Sequence, residues 1–400
     1  MTVLARLLKR SWPISSTDPA LISLLGGWGP TAAGVHVSED SALRLTAVLS
    51  AVTLEATTVA SLPLKVWRDT ANGRRVPVND TLFKDPMNTE LDLTWFEGLE
   101  FLAQCRARFG NAYAFKVRNE LGDRVVRLIP MLVSEVRPYT EKTSAGLVKR
   151  FRVAGVADPM TPAEILHIRG WSLDGVRGLS PIAVAREAIG SAVAAEETGS
   201  RLFNSGLMNG GVLQTDQELD EDQAKLTKQR WQDKVTGVAR AYEVAVLDRG
   251  LKFTPATIPP KDAQWLEARQ FGVAEVARIF RIPPALLFEY MQTGNVEADK
   301  VGAQWLRFGL NQVLVSFEKR LSLHLLPRGQ FCEFERGGLL QGTPKEQAEV
   351  EQIQITSGVL TVDEARALHN RPPAPKPPAP PMLPPPPEDD DEGVGDGPDA

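Results

Sequence analysis

LDGVRGLSPIAVAREAIGSAVAAEETGSRLFNSG, residues 173–206, reads as one capped helix with little bulk on it. Gly178 and Ser180-Pro181 mark its start. A serine side chain can accept a first-turn N–H, and a proline at the first helical position gives up a donor that has no helical partner anyway. Alanine then dominates to about Asn204, and Gly206, Gly210 and Gly211 break the helix. So small a surface suits close approach by a second helix, and it suits an ordinary core equally. A second helix starts in PPKDAQWLEARQFGVAEVARIF, with Leu266, Val273, Val276, Ala277 and Phe280 on one face. Between the two lies an insert, about 208–258. GVLQT and EVAVLDRGLKFTPATI are strand-like there, and DEDQAKLTKQRWQDKVTG is a helix with acids at its positive end.

Toward the N-terminus, 41–172 predicts an α+β domain. SALRLTAVLSAVTLEATTVASL is a helix with Ser38 or Asp40 as its cap, and LTWFEGLEFLAQCRARFG is a second helix ending at Gly110. LPLKVWR, NAYAFKVRN, RVVRLIPM, SEVRPYT, KRFRVAG and EILHIRGW are strand-like. Residues 1–40 read as poorly ordered. Toward the C-terminus, FEYMQTGNVEADK, residues 288–300, is a polar loop wedged between two apolar helices. The helix after it, 295–326, carries a stripe of Leu306, Leu310, Val313, Leu314, Phe317 and Leu321 and stops at Pro327 and Gly329. Residues 343–370 hold a pair of short helices. From Arg371 the chain is proline-rich, then acidic, and predicts disorder.

The net charge of −5 belongs to the tail, where seven acids (Glu388 to Glu392, Asp396, Asp399) face Arg371 and Lys376. The body, 1–370, is formally neutral. A chain that clamps DNA shows a basic excess, because phosphate neutralisation supplies most of its affinity. No apolar run reaches the ~20 residues of a membrane span, and the reading is of no membrane contact. Cys105 and Cys332 show no pairing or metal spacing. No P-loop, GxSxG or HExxH motif occurs. His36, His167, His324 and His369 are not at metal-ligand spacing, and His167 sits in a strand as a packed or surface residue. Glu196-Glu197 and Asp220-Glu221-Asp222 read as solvated helix faces. Glu100, Glu164 and Asp174 form a site only if folding gathers them. The expectation is no metal, no cofactor and no enzyme.

The order of parts is similar to one known family. LSPIAVAREAIGSAVAAEETGSRLFNSGLMNGGVLQT resembles a hallmark segment of the portal proteins of long-tailed phages and phage-like gene transfer agents. So do DGVRGLSPI, LKFTPATIPPKDAQWLEARQFGVAEVARIFRIPPALL and TGNVEADKVGAQWLRFGLNQVLVSFEKRL, and the likeness covers roughly 40–330. The resemblance implies a ring of twelve copies at one capsid vertex of the virion, assembled in the host cytoplasm. Double-stranded DNA would pass through it, and the terminase large subunit, head-tail adaptor and major capsid protein would be its partners.

On that template 1–40 is an arm, 41–172 the wing, 173–207 and 259–286 the two stem helices, and 208–258 a small α/β clip. Residues 287–298 are the tunnel loop, 295–330 the long helix, 331–370 the crown and 371–400 the tail. The loop residues Met291, Gln292, Thr293, Gly294 and Asn295 would face DNA. Arg186, Glu187, Glu196, Glu197 and Arg201 would line the channel along the stem, and Asp220, Glu221, Lys225, Lys228, Gln229 and Arg230 would face terminase or adaptor from the clip. Two other readings stand beside this one. One is a DNA-processing enzyme with a carboxylate metal site, the other an adaptor scaffold whose proline tail fills a partner's groove.

Overall fold

The computed structural model describes residues 29–70, 72–79, 82–83, 87, 91–122, 124–144, 146–204, 211–215, 220–235, 251–255, 262–287, 298–337 and 344–374. The arm before 29, the loop 288–297 and the tail from 375 lie outside the described residues.

Helix α1, Thr46–Ser61, follows a tight turn over Ser41–Arg44 and is capped by Leu45, with no side-chain bond. Neither expected cap serves. Ser38 instead accepts the Ser41 N–H, and Asp40 pairs with Arg108. Strands β1, Leu64–Asp69, and β2, Arg75–Val78, come next, then α2, Trp95–Phe109. Thr94 and Glu97 close a reciprocal capping box on α2, and Gly110 ends it at φ 68°. The chain enters β3, Asn111–Arg118, at once, followed by β4, Val125–Met131, β5, Val136–Thr143, β6, Gly146–Val153, and β7, Ile165–Arg169.

Strand β3 lies at the centre of an antiparallel sheet in the order β4-β3-β7, and β5 and β6 form a separate antiparallel pair. Side chains alternate across the three-stranded sheet. Ala112, Ala114, Leu166 and Ile168 join the main core with α1 and α2. Tyr113 and Ile165 join a second core with Val136, Phe151 and Val153.

The first of the two expected stem helices starts as read. Ser180 accepts the Ala183 N–H at 3.0 Å and Pro181 is the first helical residue. A short helix α3, Pro181–Val184, breaks at Ala185 before α4, Arg186–Asn204. The insert holds β8, Gly211–Gln214, α5, Glu221–Val235, and β9, Lys252–Pro255, with β8 and β9 antiparallel. Helix α6 is Asp262–Phe280.

The long helix differs from the single rod expected over 295–326. It comprises α7, Ala298–Trp305, a π turn over Leu306–Leu310, and α8, Asn311–Leu325. All six residues of the expected apolar stripe are buried, at ~1.5–3 kcal/mol each as an upper figure.

Strand β10, Gln330–Phe334, follows a reversal at Pro327 and Gly329. It pairs with β1, so that β1 lies between β10 and β2. These residues, counted above with the crown from 331, therefore complete a sheet begun near residue 64. Two partners fix them there: Glu318 accepts the Phe334 N–H at 2.9 Å, and Ser322 Oγ accepts the Cys332 N–H at 3.0 Å.

Residues 29–40, expected to be poorly ordered, are largely exposed but tied to the body at single points. Thr31 is buried and the Ala32 N–H donates to Glu187 at 2.9 Å. Cys105 and Cys332 are free and buried. A separate unit holds α9, Pro344–Thr356, and α10, Val362–Leu368, where Thr361 and Glu364 form a second capping box. No described helix is long and apolar enough to cross a membrane.

Candidate functional site

Three glycines meet backbone to backbone where the β3 sheet joins the loop before α3. The Gly170 N–H donates to the Gly110 carbonyl at 2.7 Å, and a Cβ built on Gly178 would stand 1.8 Å from that same oxygen. Asn111 locks the corner. Its Oδ1 accepts the Gly178 N–H at 2.8 Å and its Nδ2 donates to the Gly178 carbonyl at 2.8 Å. Asn111 is thereby oriented, with Oδ1 also facing His167 Nε2 at 3.0 Å. An acceptor there puts the imidazole proton on Nε2, and Nδ1 is left to accept from Lys149 Nζ at 2.5 Å.

The WSLDGVRGLSP loop closes on itself around this corner. Asp174 Oδ1 accepts the Val176 and Arg177 N–H groups, and Arg177 Nε donates to the Pro138 carbonyl at 2.7 Å. Ser180 Oγ donates to the Arg108 carbonyl at 2.7 Å, tying the start of α3 to the end of α2. The sheet and the loop leading into α3 are thus joined through main-chain atoms, which only glycine permits at this separation.

Burial drives His167 well below the ordinary imidazole value, with Lys149 and nearby arginines adding to it. It is a neutral structural histidine. Burial also pushes the Lys149 ammonium down to about 7, with Arg320 and Arg169 adding and Asp174 opposing. Between about pH 7 and the ordinary lysine value of 10.5, the unfolded chain keeps this proton and the folded chain releases it. Stability therefore rises with pH through that window. Lys149→Met is expected to flatten the rise, read as melting temperature against pH from about 7 to about 10.

The small face of α4 is used within the chain. A Cβ on Gly272 of α6 would meet Ala192 Cβ at 3.1 Å, so the small face admits α6 of the same chain. The expected channel residues are treated unequally by this packing. Arg186 is 6% exposed and donates to the Gly29 carbonyl. Glu187 is exposed and accepts from Ala32, Glu196 is half-buried and Glu197 is exposed. Arg201 falls within α4, and its side chain lies outside the described residues.

Met291, Gln292, Thr293, Gly294 and Asn295 also lie outside the described residues, but both ends of their loop are anchored. Leu287 is buried on one side, and Val301 and Trp305 are buried on the other. The segment just before the loop docks on the π turn. A Cβ on Gly309 would stand 2.5 Å from the Arg281 carbonyl, Arg281 itself has φ 55°, and its Nη1 donates to Gln312 Oε1 at 2.5 Å. A non-glycine residue in that conformation is held by its surroundings.

The clip helix α5 is polar nearly all round. Asp220, Glu221, Lys225, Lys228, Gln229 and Arg230 are all exposed, and Trp231 is half-buried. The Glu221–Lys225 pair, at 2.8 Å and largely in solvent, adds a few tenths of a kcal/mol at most.

Among the described residues no group of three His, Cys, Asp or Glu is placed to hold a metal. Glu164 accepts from the Thr161 N–H and hydroxyl, Asp174 holds its own loop, and Glu100 lines a groove of about 250 Å³ between α1 and α2.

The phage portal protein family matches residues 46–370. The chain belongs to that family. It is 30% identical over 387 residues to the probable portal protein of Streptomyces phage phiC31, covering 92% of this chain and 82% of the relative. It is 27% identical over 354 residues to the portal protein of Enterobacteria phage HK97, covering 85% and 81%. Among solved structures, a portal of the HK97 family from Corynebacterium diphtheriae aligns with TM-score 0.58 at 20% identity, over 76% of this chain and 96% of its own. A chain from the neck of a native gene transfer agent particle, computed with C12 symmetry, aligns with TM-score 0.53 at 20% identity, over 90% and 100%. The portal family thus takes in α1 through α10 and the corner built on Gly110 and Gly178.

Proposed function

We infer that this chain is the subunit of a portal, a ring at one vertex of a capsid, and a structural component of the virion without catalysis. The family match over 46–370 carries the reading. The twelvefold neck of the gene transfer agent particle, whose chain shares the fold, favours twelve copies. A ring closes through a heterologous interface, one face of each subunit fitting a different face of the next.

DNA enters and leaves through the central hole in this reading, and residues 288–297 line its narrowest part. The support is chemical. Gln292, Thr293 and Asn295 exchange hydrogen bonds with phosphate and water but carry no charge, and the body is formally neutral. Repeated around a ring, a cation there would make many phosphate contacts at once and hold the duplex still. Glu187, Glu196, Glu197 and Arg201 remain channel candidates, and Arg186 leaves the set because its guanidinium is buried. The exposed α5 is the docking element for the terminase large subunit, and later for the head-tail adaptor, while the capsid protein surrounds the body.

Gln292→Lys with Asn295→Lys is expected to leave rings intact in electron micrographs and to slow packaging several-fold in an in vitro packaging assay. Packaging at the native rate overturns the low-adhesion loop. A native chain that stays monomeric under assembly conditions, or a map with 288–297 on the outer rim, overturns the portal reading itself.

A further inference from the structure

Beside the glycine corner, three strands and a helix bring cations together without matching carboxylates. Ser316 Oγ of α8 donates to the Arg169 carbonyl of β7 at 3.2 Å, so α8 lies along that strand. Arg320 and His324 follow Ser316 at successive spacings of four, on the same side of the helix. From β7, His167 and Arg169 project to one face of the sheet, as residues two apart must. From β6, Lys149 reaches His167, and from β3, Lys116 donates to the Pro162 carbonyl at 2.7 Å. Lys149, Arg169, Arg320 and His324 are each half-buried.

Their charges oppose one another across these elements. Arg320 and Arg169 lower Lys149, Arg169 lowers Arg320, and Lys116, Arg320 and Lys149 help bring His324 to about 4, with burial the largest cause each time. One nearby carboxylate, Asp174, partly opposes the fall in Lys149. Asp174 Oδ1 accepts the Val176 and Arg177 N–H groups, and Glu164 caps Thr161. Among the described residues, no carboxylate lies within ion-pairing distance of Lys149, Arg169 or Arg320. Like charges gathered in half-buried positions cost stability unless an anion joins them.

We propose that Lys149, Arg169 and Arg320 form a binding site for a phosphate-class oxyanion, either free phosphate or a phosphodiester. Two guanidinium groups and one ammonium on neighbouring elements suit it. Guanidinium forks match the spacing of two phosphate oxygens, and the ammonium adds a point charge. His324 and Lys116 stand at its margin. The site lies on the sheet and α8, and does not depend on where loop 288–297 sits.

The test titrates inorganic phosphate into the full-length protein at constant ionic strength, with chloride as the reference. Native protein is expected to bind saturably and to melt several degrees higher in phosphate than in chloride. Arg320→Gln is expected to weaken phosphate binding by ~tenfold or more. In chloride it should melt no lower than native, because the substitution relieves repulsion, and this separates lost binding from lost folding. A short DNA duplex added to the phosphate complex distinguishes the sources: competition assigns the site to phosphodiester, and no competition assigns it to the free ion. Failure of native protein to saturate, or equal phosphate affinity in Arg320→Gln, overturns the site. So does a ring in which a neighbouring copy's carboxylate fills it. The phosphate and melting results do not bear on whether the ring forms.

Discussion

Gly178→Ala is expected to leave little soluble, folded protein, while Gly175→Ala three residues away is expected to cost only ~1 kcal/mol. Both glycines belong to one loop, and the neighbours make the difference. At Gly175 a Cβ would meet nothing within 4 Å, and the cost is that of a left-handed backbone at φ 74°. At Gly178 the Cβ would fall 1.8 Å from the Gly110 carbonyl oxygen and 3.0 Å from the Gly170 nitrogen. Those atoms are main chain and cannot rotate aside. Moving them breaks the Gly170–Gly110 bond and both Asn111 bonds to Gly178. Each buried group left unsatisfied costs ~1–3 kcal/mol, so three lost bonds approach the ~5–15 kcal/mol that holds a typical domain. Soluble yield and melting temperature read the pair. Equal melting of the two variants would mean that the corner yields without breaking, and the account of a main-chain joint would be wrong.

That joint shows where the sequence was legible and where it was not. Ser180-Pro181 announced a helix start from local chemistry alone, and Ser180 caps as expected. The stripe from Leu306 to Leu321 announced its buried face by spacing. The π turn at 306–310 left no trace in that spacing, because Leu306 and Leu310, four apart, face the core in either kind of turn. There Gly309 receives the Arg281 carbonyl, a contact between residues 28 positions apart. Strand β10 escaped for a similar reason. QFCEF is short, and what fixes it is pairing with β1 across more than 260 residues of chain together with Glu318 and Ser322 on α8.

Among the candidate site residues, the clip set is exposed because its helix is polar on every side, which composition alone conveys. Arg186 could not be told from Glu187 by sequence, since neighbours on a helix differ only in which way they point. Asn111 read as the first residue of a strand, and its role as the hub of the corner depends on a loop 67 positions later.

The buried pair Glu55–Arg106 is expected to behave asymmetrically. Glu55 of α1 and Arg106 of α2 meet at 3.3 Å, with side chains 8% and 14% exposed. Burial raises the Glu55 carboxyl, and Arg106 only partly opposes that. Burial likewise lowers Arg106, which Glu55 partly restores. Each charge therefore sits in the core on the strength of the other. Glu55→Ala removes the carboxylate and leaves a guanidinium buried beside Arg281, which already disfavours its charge. The expected loss is ~3–5 kcal/mol, in line with other broken buried pairs.

Replacing both, as Glu55→Leu with Arg106→Met, removes two desolvated charges and fills much of the same volume. It is expected to melt far closer to native than Glu55→Ala does, and even to exceed native. The closed thermal melting cycle of native, Glu55→Leu alone, Arg106→Met alone and the double variant measures the coupling. If the double variant falls by the sum of the two singles, the two side chains are uncoupled, and the account of each charge resting on the other would be wrong. If the double variant recovers, Val48, Val52, Leu99 and Leu102 hold the two helices together, and the ion pair only fixes how they meet.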